Sequence, residues 1–183
     1  TLKEDSLIGA IQEFNPTVLI VRSTKVNAAM IGASDSLALI VRAGAGYDTI
    51  DVNEASQKGV FVANCPGKNS IAVAELAWGL ILSCDRRIPN QVMRLREGHW
   101  EKKAFSKTQG LYGRTLGIIG LGGIGKEVVK RAKAFGMEVI AWSRSMNDEK
   151  ANELGIQWTE DILEIASSSD VVSIHAASTS TPS

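Results

Sequence analysis

Three glycines in the second half of the chain have a spacing that suits phosphate binding. Gly120, Gly122 and Gly125 stand in the order G-x-G-x-x-G within GLGGIG. The first permits a tight turn, the second lets a pyrophosphate approach the backbone, and the third lets a helix pack closely on a strand. The first N–H groups of that helix and its dipole would then hold the phosphates. The spacing predicts a dinucleotide-binding turn; the alternative is a glycine-rich turn that binds nothing.

The segments around these glycines supply the context that such a turn needs. TLGIIG (115–120) predicts a strand and EVIAW (138–142) predicts a second one. Between them, GIGKEVVKRAKAFG (123–136) predicts a helix whose apolar residues share one face, namely Ile124, Val128, Ala132 and Phe135. A strand, a glycine turn, an amphipathic helix and a second strand form the fingerprint of a Rossmann unit.

The end of the second strand selects between the two nicotinamide dinucleotides. An NAD enzyme usually carries Asp or Glu there, which accepts hydrogen bonds from the ribose 2′-hydroxyl. This chain has Ser143 followed by Arg144, a hydroxyl and a permanently charged guanidinium that could bind a 2′-phosphate. The pair favours NADP. In the alternative interpretation Arg144 is a solvated side chain, and NAD binds through other contacts.

The rest of the chain alternates short apolar runs with amphipathic segments, which is typical of parallel α/β architecture. Asp51 and Glu54 have the spacing of a helix N-cap and its capping-box partner. The segment 70–84 is apolar on nearly every side, so we expect a buried helix there. Strands are further predicted over 17–21, 36–41, 59–63, 156–158 and 170–174, with short helices ending at Gly32 and Gly59 and others over 148–154 and 160–166.

Composition changes around 85–89, and we place a domain boundary there, between residues 1–84 and 85–183. Net charge is zero over 183 residues, which gives no electrostatic reason to expect nucleic acid or an anionic membrane as partner. No apolar run is long enough to span a bilayer, and from its first residues we expect no signal peptide. Cys65 and Cys84 have neither metal-ligand nor disulfide spacing, so we expect no metal site and a reducing cytoplasm.

Five stretches together resemble one enzyme family, in its order and at its spacings: VRSTKV, VRAGAGYDTIDV, NCPGKNSIAVAELAWGLIL, REGHWEK and GRTLGIIGLGGIGKEV. The whole chain resembles the D-isomer-specific 2-hydroxyacid dehydrogenases, and its first half looks most like the D-3-phosphoglycerate dehydrogenase branch. The resemblance implies a Rossmann-type doubly wound parallel sheet preceded by a flavodoxin-like α/β substrate domain. It also implies an active site in the cleft between two domains.

The resemblance assigns roles to individual residues. Backbone groups of Ala43–Gly46, among them Ala43 and Gly44, would lie near the substrate carboxylate, and Ala45 near the nicotinamide. Arg22 and Ser23 match positions that reach the anionic tail of a substrate; the alternative for Arg22 is an ordinary charged residue at a strand end. Gly123 and Ile124 match pyrophosphate-binding positions. His175 and Ala176 match the loop beneath the cofactor, so we do not assign His175 as the general base.

The family's chemistry requires an arginine, a glutamate and a histidine, and the resemblance places all three beyond Ser183. We therefore expect this chain to be an incomplete part of a dehydrogenase, inactive by itself. The resemblance also implies a homodimer, formed through the arm around Arg94–Phe105 of the nucleotide domain.

The substrate would be a small 2-hydroxy or 2-oxo acid, handled as in a 3-phosphoglycerate dehydrogenase or a glyoxylate/hydroxypyruvate reductase. The phosphoglycerate-like first half favours NAD, which conflicts with the Ser143–Arg144 pair. Two other functions stay open: a non-catalytic dinucleotide-binding regulator of the same fold, and a structural fragment without a ligand.

Overall fold

The computed structural model describes residues 4–176 of the chain. The chain divides into two compact units, Thr1–Asn69 and Ser70–Ser183. Each unit carries its own buried apolar cluster. Within the described residues, no helix combines the length and the apolar character needed to cross a membrane.

The first unit contains a parallel three-stranded sheet in the order β1-β2-β3. Its core includes Met30, Ile31 and Ile40, whose side chains are almost completely buried. All three predicted strands and both predicted helices are confirmed, whereas helix α1 has no counterpart among the predicted elements. The elements are α1 (Glu4–Phe14), β1 (Val18–Val21), α2 (Ala28–Ile31), β2 (Leu39–Arg42), α3 (Val52–Gln57) and β3 (Phe61–Ala63).

The predicted N-cap of α3 is also confirmed. The Asp51 carboxylate accepts a hydrogen bond from the Glu54 backbone N–H at 3.0 Å, which satisfies one of the free donors of the first turn. The Glu54 carboxylate lies 3.8 Å from the Lys58 ammonium. The cap therefore fixes where the helix between β2 and β3 begins.

The second unit contains a parallel four-stranded sheet in the order β6-β5-β4-β7. Numbered within the unit this order is 3-2-1-4, that of a Rossmann fold up to its fourth strand. The predicted fold class is thus confirmed. The elements are α4 (Ser70–Arg86), α5 (Ile88–Arg96), α6 (Lys102–Phe105), β4 (Thr115–Ile119), α7 (Gly123–Ala134), β5 (Glu138–Trp142), α8 (Asp148–Leu154), β6 (Gln157–Trp158), α9 (Ile162–Ser168) and β7 (Val171–Ile174).

Helix α4 packs on α7 through one side only. The Trp78 ring stacks on Phe135 at a centroid distance of 4.7 Å, and its indole N–H donates to the Val128 carbonyl oxygen at 3.1 Å. Leu76 and Leu80, on another side, are 65% and 58% exposed, so the prediction that this helix is buried all round was wrong. Because α4 packs on α7, the division between the units falls at 69/70 and not at the predicted 84/85.

Candidate functional site

The turn after β4 packs directly on the turn after β7. Gly120 has φ of +98°, a conformation that glycine adopts without strain. A Cβ atom on Gly120 would lie 2.5 Å from the Ala176 nitrogen and 2.6 Å from the His175 carbonyl carbon. These two strands are neighbours in the sheet although α7, β5, α8, β6 and α9 separate them in sequence. This is the switch point of the strand order, where doubly wound sheets bind their ligands.

The other two glycines of the motif behave differently from each other. A Cβ atom on Gly125 would overlap the Gly120 carbonyl oxygen, so Gly125 is required for close packing of α7 on the strand exit. Around the corresponding position on Gly122, no heavy atom of residues 4–176 lies within 4 Å, apart from those of its two chain neighbours. Gly122 therefore keeps space open at the N-terminus of α7, as the sequence motif predicts for a backbone that a phosphate approaches.

The N-terminus of α7 is free to bind an anion. Gly122 is its N-cap residue and provides no side-chain cap, and the Lys126 N–H is bonded to the Gly122 carbonyl oxygen at 3.0 Å. The N–H groups of Gly123 and Ile124 precede that first helical bond and have no intrahelical acceptor. A Cβ on Gly123 would lie 2.8 Å from the Ser70 hydroxyl oxygen, so a glycine at this position avoids a close contact. Because the first N–H groups of α7 lack intrahelical acceptors and no side chain caps them, the turn fits a pyrophosphate group.

His175 directly follows β7 and contacts the exit of β4. Its backbone N–H donates to the Ile119 carbonyl oxygen at 2.7 Å, and its Nε2 lies 2.8 Å from the Ser173 hydroxyl oxygen. Partial burial lowers the pKa of the imidazole below its ordinary value. Burial therefore favours the uncharged form of the ring beside the glycine turn.

A pocket of about 250 Å³ opens at the end of β5. Ser143 lines it, but Arg144 is exposed and does not. Two lysines that the sequence interpretation missed also line it, one on α7 and one on α8. The lining residues are Leu121, Lys126, Ser143, Ser145, Met146, Lys150, Glu153 and Leu154.

The first unit brings the predicted substrate-binding residues to one edge of its sheet. Arg22 and Ser23 follow β1, and Ala43 and Gly44 follow the neighbouring strand β2. The Ala43 N–H donates to the Val21 carbonyl oxygen at 2.7 Å, which joins the two strand exits. All four residues therefore lie at the carboxyl edge of the parallel sheet, where α/β folds place ligands.

Residues after β3 hold the loop that contains Ala45. The Asn64 side-chain amide donates to the Ala45 carbonyl oxygen at 2.7 Å, and the Cys65 N–H donates to the Gly44 carbonyl oxygen at 2.9 Å. The Arg42 guanidinium lies against Gly44, so that a Cβ there would overlap it. Sequence interpretation missed Asn64 because the pattern contains no signal for a side-chain contact to a loop on another strand.

A family comparison matches most of the second unit. The family described as D-isomer specific 2-hydroxyacid dehydrogenase, NAD binding domain, matches residues 78–182. This range contains the glycine turn, the pocket at the end of β5 and His175.

Curated relatives extend the similarity into the first unit. The chain is 43% identical over 175 residues to the D-3-phosphoglycerate dehydrogenase of Methanocaldococcus jannaschii, covering 95% of this chain and 33% of the relative. It is 46% identical over 175 residues to the hydroxypyruvate reductase of Thermotoga maritima, covering 95% of this chain and 55% of the relative. The chain thus spans between about a third and about half of these relatives.

Solved structures with similar folds include proteins with either dinucleotide. An acyclic imino acid reductase, Bsp5, in complex with NADPH and D-Arg, matches with a TM-score of 0.82 at 30% identity, over 98% of this chain and 56% of that one. The 3-phosphoglycerate dehydrogenase of Entamoeba histolytica with bound NAD⁺ matches with a TM-score of 0.77 at 30% identity, over 98% and 52%.

Proposed function

The chain belongs to the D-isomer-specific 2-hydroxyacid dehydrogenase family, and we propose that the whole protein transfers a hydride between a nicotinamide dinucleotide and a D-2-hydroxy acid. In the reducing direction, a 2-oxo acid, a reduced dinucleotide and a proton give the D-2-hydroxy acid and the oxidised dinucleotide. The observation that carries this proposal is the glycine turn at the switch point, where Gly120 meets Ala176 and the N-terminus of α7 is uncapped.

A nicotinamide dinucleotide, when bound, would supply or accept the hydride. The chain's own contribution is to bind and orient it. Gly122, Gly123 and Ile124 present backbone N–H groups to the pyrophosphate, and the positive end of the α7 dipole favours its negative charge. We further propose that His175 and Ala176 contact the cofactor from the end of β7, and that Ala45 contacts its nicotinamide end.

The substrate would bind at the carboxyl edge of the first sheet. We propose that the backbone of Ala43 and Gly44 binds its carboxylate and that Arg22 and Ser23 bind an anionic tail. A guanidinium is a strong partner for phosphate or carboxylate, so both the 3-phosphoglycerate dehydrogenase and the glyoxylate/hydroxypyruvate reductase activities stay within the proposal. These residues fix the reacting carbon in place, and we assign the proton transfer to none of them.

The preferred cofactor in this proposal is NADP. Ser143 provides a hydroxyl where a carboxylate would select NAD, and it lines the pocket at the end of β5. Arg144 is exposed, so its part in the proposal is long-range attraction of a 2′-phosphate.

We also propose a homodimer that forms through the arm Arg94–Phe105, because Leu95 and Trp100 there are 57% and 79% exposed.

The two cysteines are free thiols, which supports a reducing compartment such as the cytoplasm.

An absorbance assay on the full protein tests the activity. Reduced dinucleotide would be incubated with glyoxylate, hydroxypyruvate or 3-phosphohydroxypyruvate, and a reaction without the acid serves as control. We expect oxidation of the dinucleotide only when a 2-oxo acid is present. A protein that binds the dinucleotide but oxidises it with none of these acids would contradict the enzyme proposal and favour the regulator.

A further inference from the structure

The pocket at the end of β5 lies directly beside the dinucleotide turn. Leu121, which lines it, stands between Gly120 and Gly122 of the motif. Ser143 lines it from the end of β5, and Ser145 from the turn that follows. In a Rossmann fold the adenosine ribose of a dinucleotide lies at the end of this strand, which is the end that the pocket adjoins.

The charged groups of the pocket favour an anion. Lys126 comes from α7, and Lys150 and Glu153 come from α8. Two ammonium groups against one carboxylate leave a net positive charge. The Lys150 ammonium donates to the Ser145 carbonyl oxygen at 2.5 Å, which holds it at the pocket, and two of its three donors remain.

Lys126 is the available donor of the pair. Among residues 4–176, its ammonium has no hydrogen-bond or ion-pair partner. It stands one residue after Gly125, so its position is fixed by the same turn that places Gly122. A phosphate in the pocket would give this charge a partner.

We infer that Lys126 and Lys150 bind the 2′-phosphate of NADP in this pocket, with Ser143 and Ser145 as hydroxyl partners. The inference rests on the proposed function and names the residues responsible for its cofactor preference. Lys126 and Lys150 take the role that the sequence had suggested for Arg144.

Glu153 provides the alternative that the experiment must separate. Glu153 lines the same pocket, and its carboxylate could accept a hydrogen bond from the 2′-hydroxyl of NAD, as acidic residues do in other Rossmann enzymes. It lies one helical turn after Lys150 on α8, where the ammonium group can neutralise it. We therefore expect Glu153 to offset the positive charge of the pocket without selecting NAD.

Dissociation constants for NADPH and NADH, measured by calorimetry on the full protein, test this inference. The variants Lys126→Met and Lys150→Met keep an apolar stem and remove the charge. Each should weaken NADPH binding about tenfold or more, the size of one charge-assisted hydrogen bond, and leave NADH binding unchanged. Lys130→Met is the matched control, because Lys130 lies one turn later on α7, is exposed and does not line the pocket.

Three results would overturn the inference. Equal weakening of NADPH and NADH binding in the lysine variants would show that the lysines act on the fold or on the shared part of the cofactor. Unchanged NADPH binding would remove both lysines from the site. In Glu153→Gln, a loss of NADH binding alone would assign the pocket to the 2′-hydroxyl. If the unsubstituted protein bound neither dinucleotide, the proposed function itself would fail.

Discussion

A Cβ atom on Gly120 would lie 2.5 Å from the backbone nitrogen of Ala176. Two strand exits that are far apart in the sequence therefore meet backbone to backbone, with no room for a side chain between them. The positive φ of Gly120 points the chain from β4 into the turn before α7. The same residue thus supports both the fold of the second unit and the candidate site at its switch point.

Replacing Gly120 with alanine should damage the fold as well as the site. The positive φ alone is expected to cost about 1–3 kcal/mol in a non-glycine residue, and the contact with Ala176 adds to it. We expect Gly120→Ala to lower the free energy of unfolding in urea and to lose dinucleotide binding.

Gly122→Ala separates the two effects, because space is open there and its φ is −76°. This variant should keep the stability and lose affinity for the dinucleotide. Equal stability of the two variants would contradict the account of Gly120.

The Asn64 side chain should act through the loop that it holds. Asn64→Ala removes the bond to the Ala45 carbonyl oxygen, whose loss is worth about 1 kcal/mol. We expect KM for the acid substrate to rise about fivefold. The dissociation constant of ADP, which shares the adenosine and pyrophosphate part of the dinucleotide, should stay unchanged. Asn53→Ala, on the exposed face of α3, is the control. An unchanged KM would show that the loop keeps its shape without Asn64.

An ion pair should stabilise the second unit at the end of its sheet that lies opposite the glycine turn. The Asp85 side chain is 8% exposed and lies 3.0 Å from the Arg114 guanidinium. Asp85→Asn should lower the free energy of unfolding by about 2 kcal/mol. This is less than the roughly 3–5 kcal/mol that loss of one partner costs a fully buried pair, because Arg114 keeps a second carboxylate, that of Asp170, at 3.5 Å.

Glu75→Gln provides the comparison, because Glu75 pairs with Arg131 at 3.5 Å with its side chain 63% exposed, and such pairs contribute little. Similar losses in the two variants would contradict a special role for the Asp85 pair.

His175 should make the stability of the second unit depend on pH. Burial lowers its pKa in the folded state, so the unfolded chain, with a pKa of about 6.5, takes up the proton first on acidification. Above that value both states are neutral and His175 contributes no pH dependence; below it, stability falls as pH falls.

The free energy of unfolding of the natural chain, minus that of His175→Gln, should therefore become smaller or more negative as the pH is lowered from about 7.5 to about 5.5. A difference that stays constant with pH would show that the imidazole titrates alike in both states.

Local patterns were sufficient to predict β4, the glycine turn and α7, since glycine spacing and apolar periodicity are properties of neighbouring residues. Burial of α4 was not predictable in this way. Its residues are apolar all round, yet only the side with Ala74 and Trp78 is buried, while Leu76 is exposed. Which side of a helix is covered depends on its packing partner, here α7, and not on the helix alone.

Contacts between distant residues were the other part that the sequence did not reveal. Lys126 and Lys150 line one pocket because β5 and the turn after it bring α7 and α8 together. Asn64 reaches Ala45 across the edge of the first sheet. Both meetings follow from strand order, which the pattern of apolar runs does not specify.

The most direct test of the proposed reaction follows the transferred hydrogen. The full protein would be incubated with a 2-oxo acid and NADPH that carries deuterium at either face of C4, and the product would be analysed by mass spectrometry and chiral chromatography. The proposal predicts deuterium at C2 of the D-2-hydroxy acid from one face of the cofactor only. A product without deuterium at C2, or one of L configuration, would contradict it.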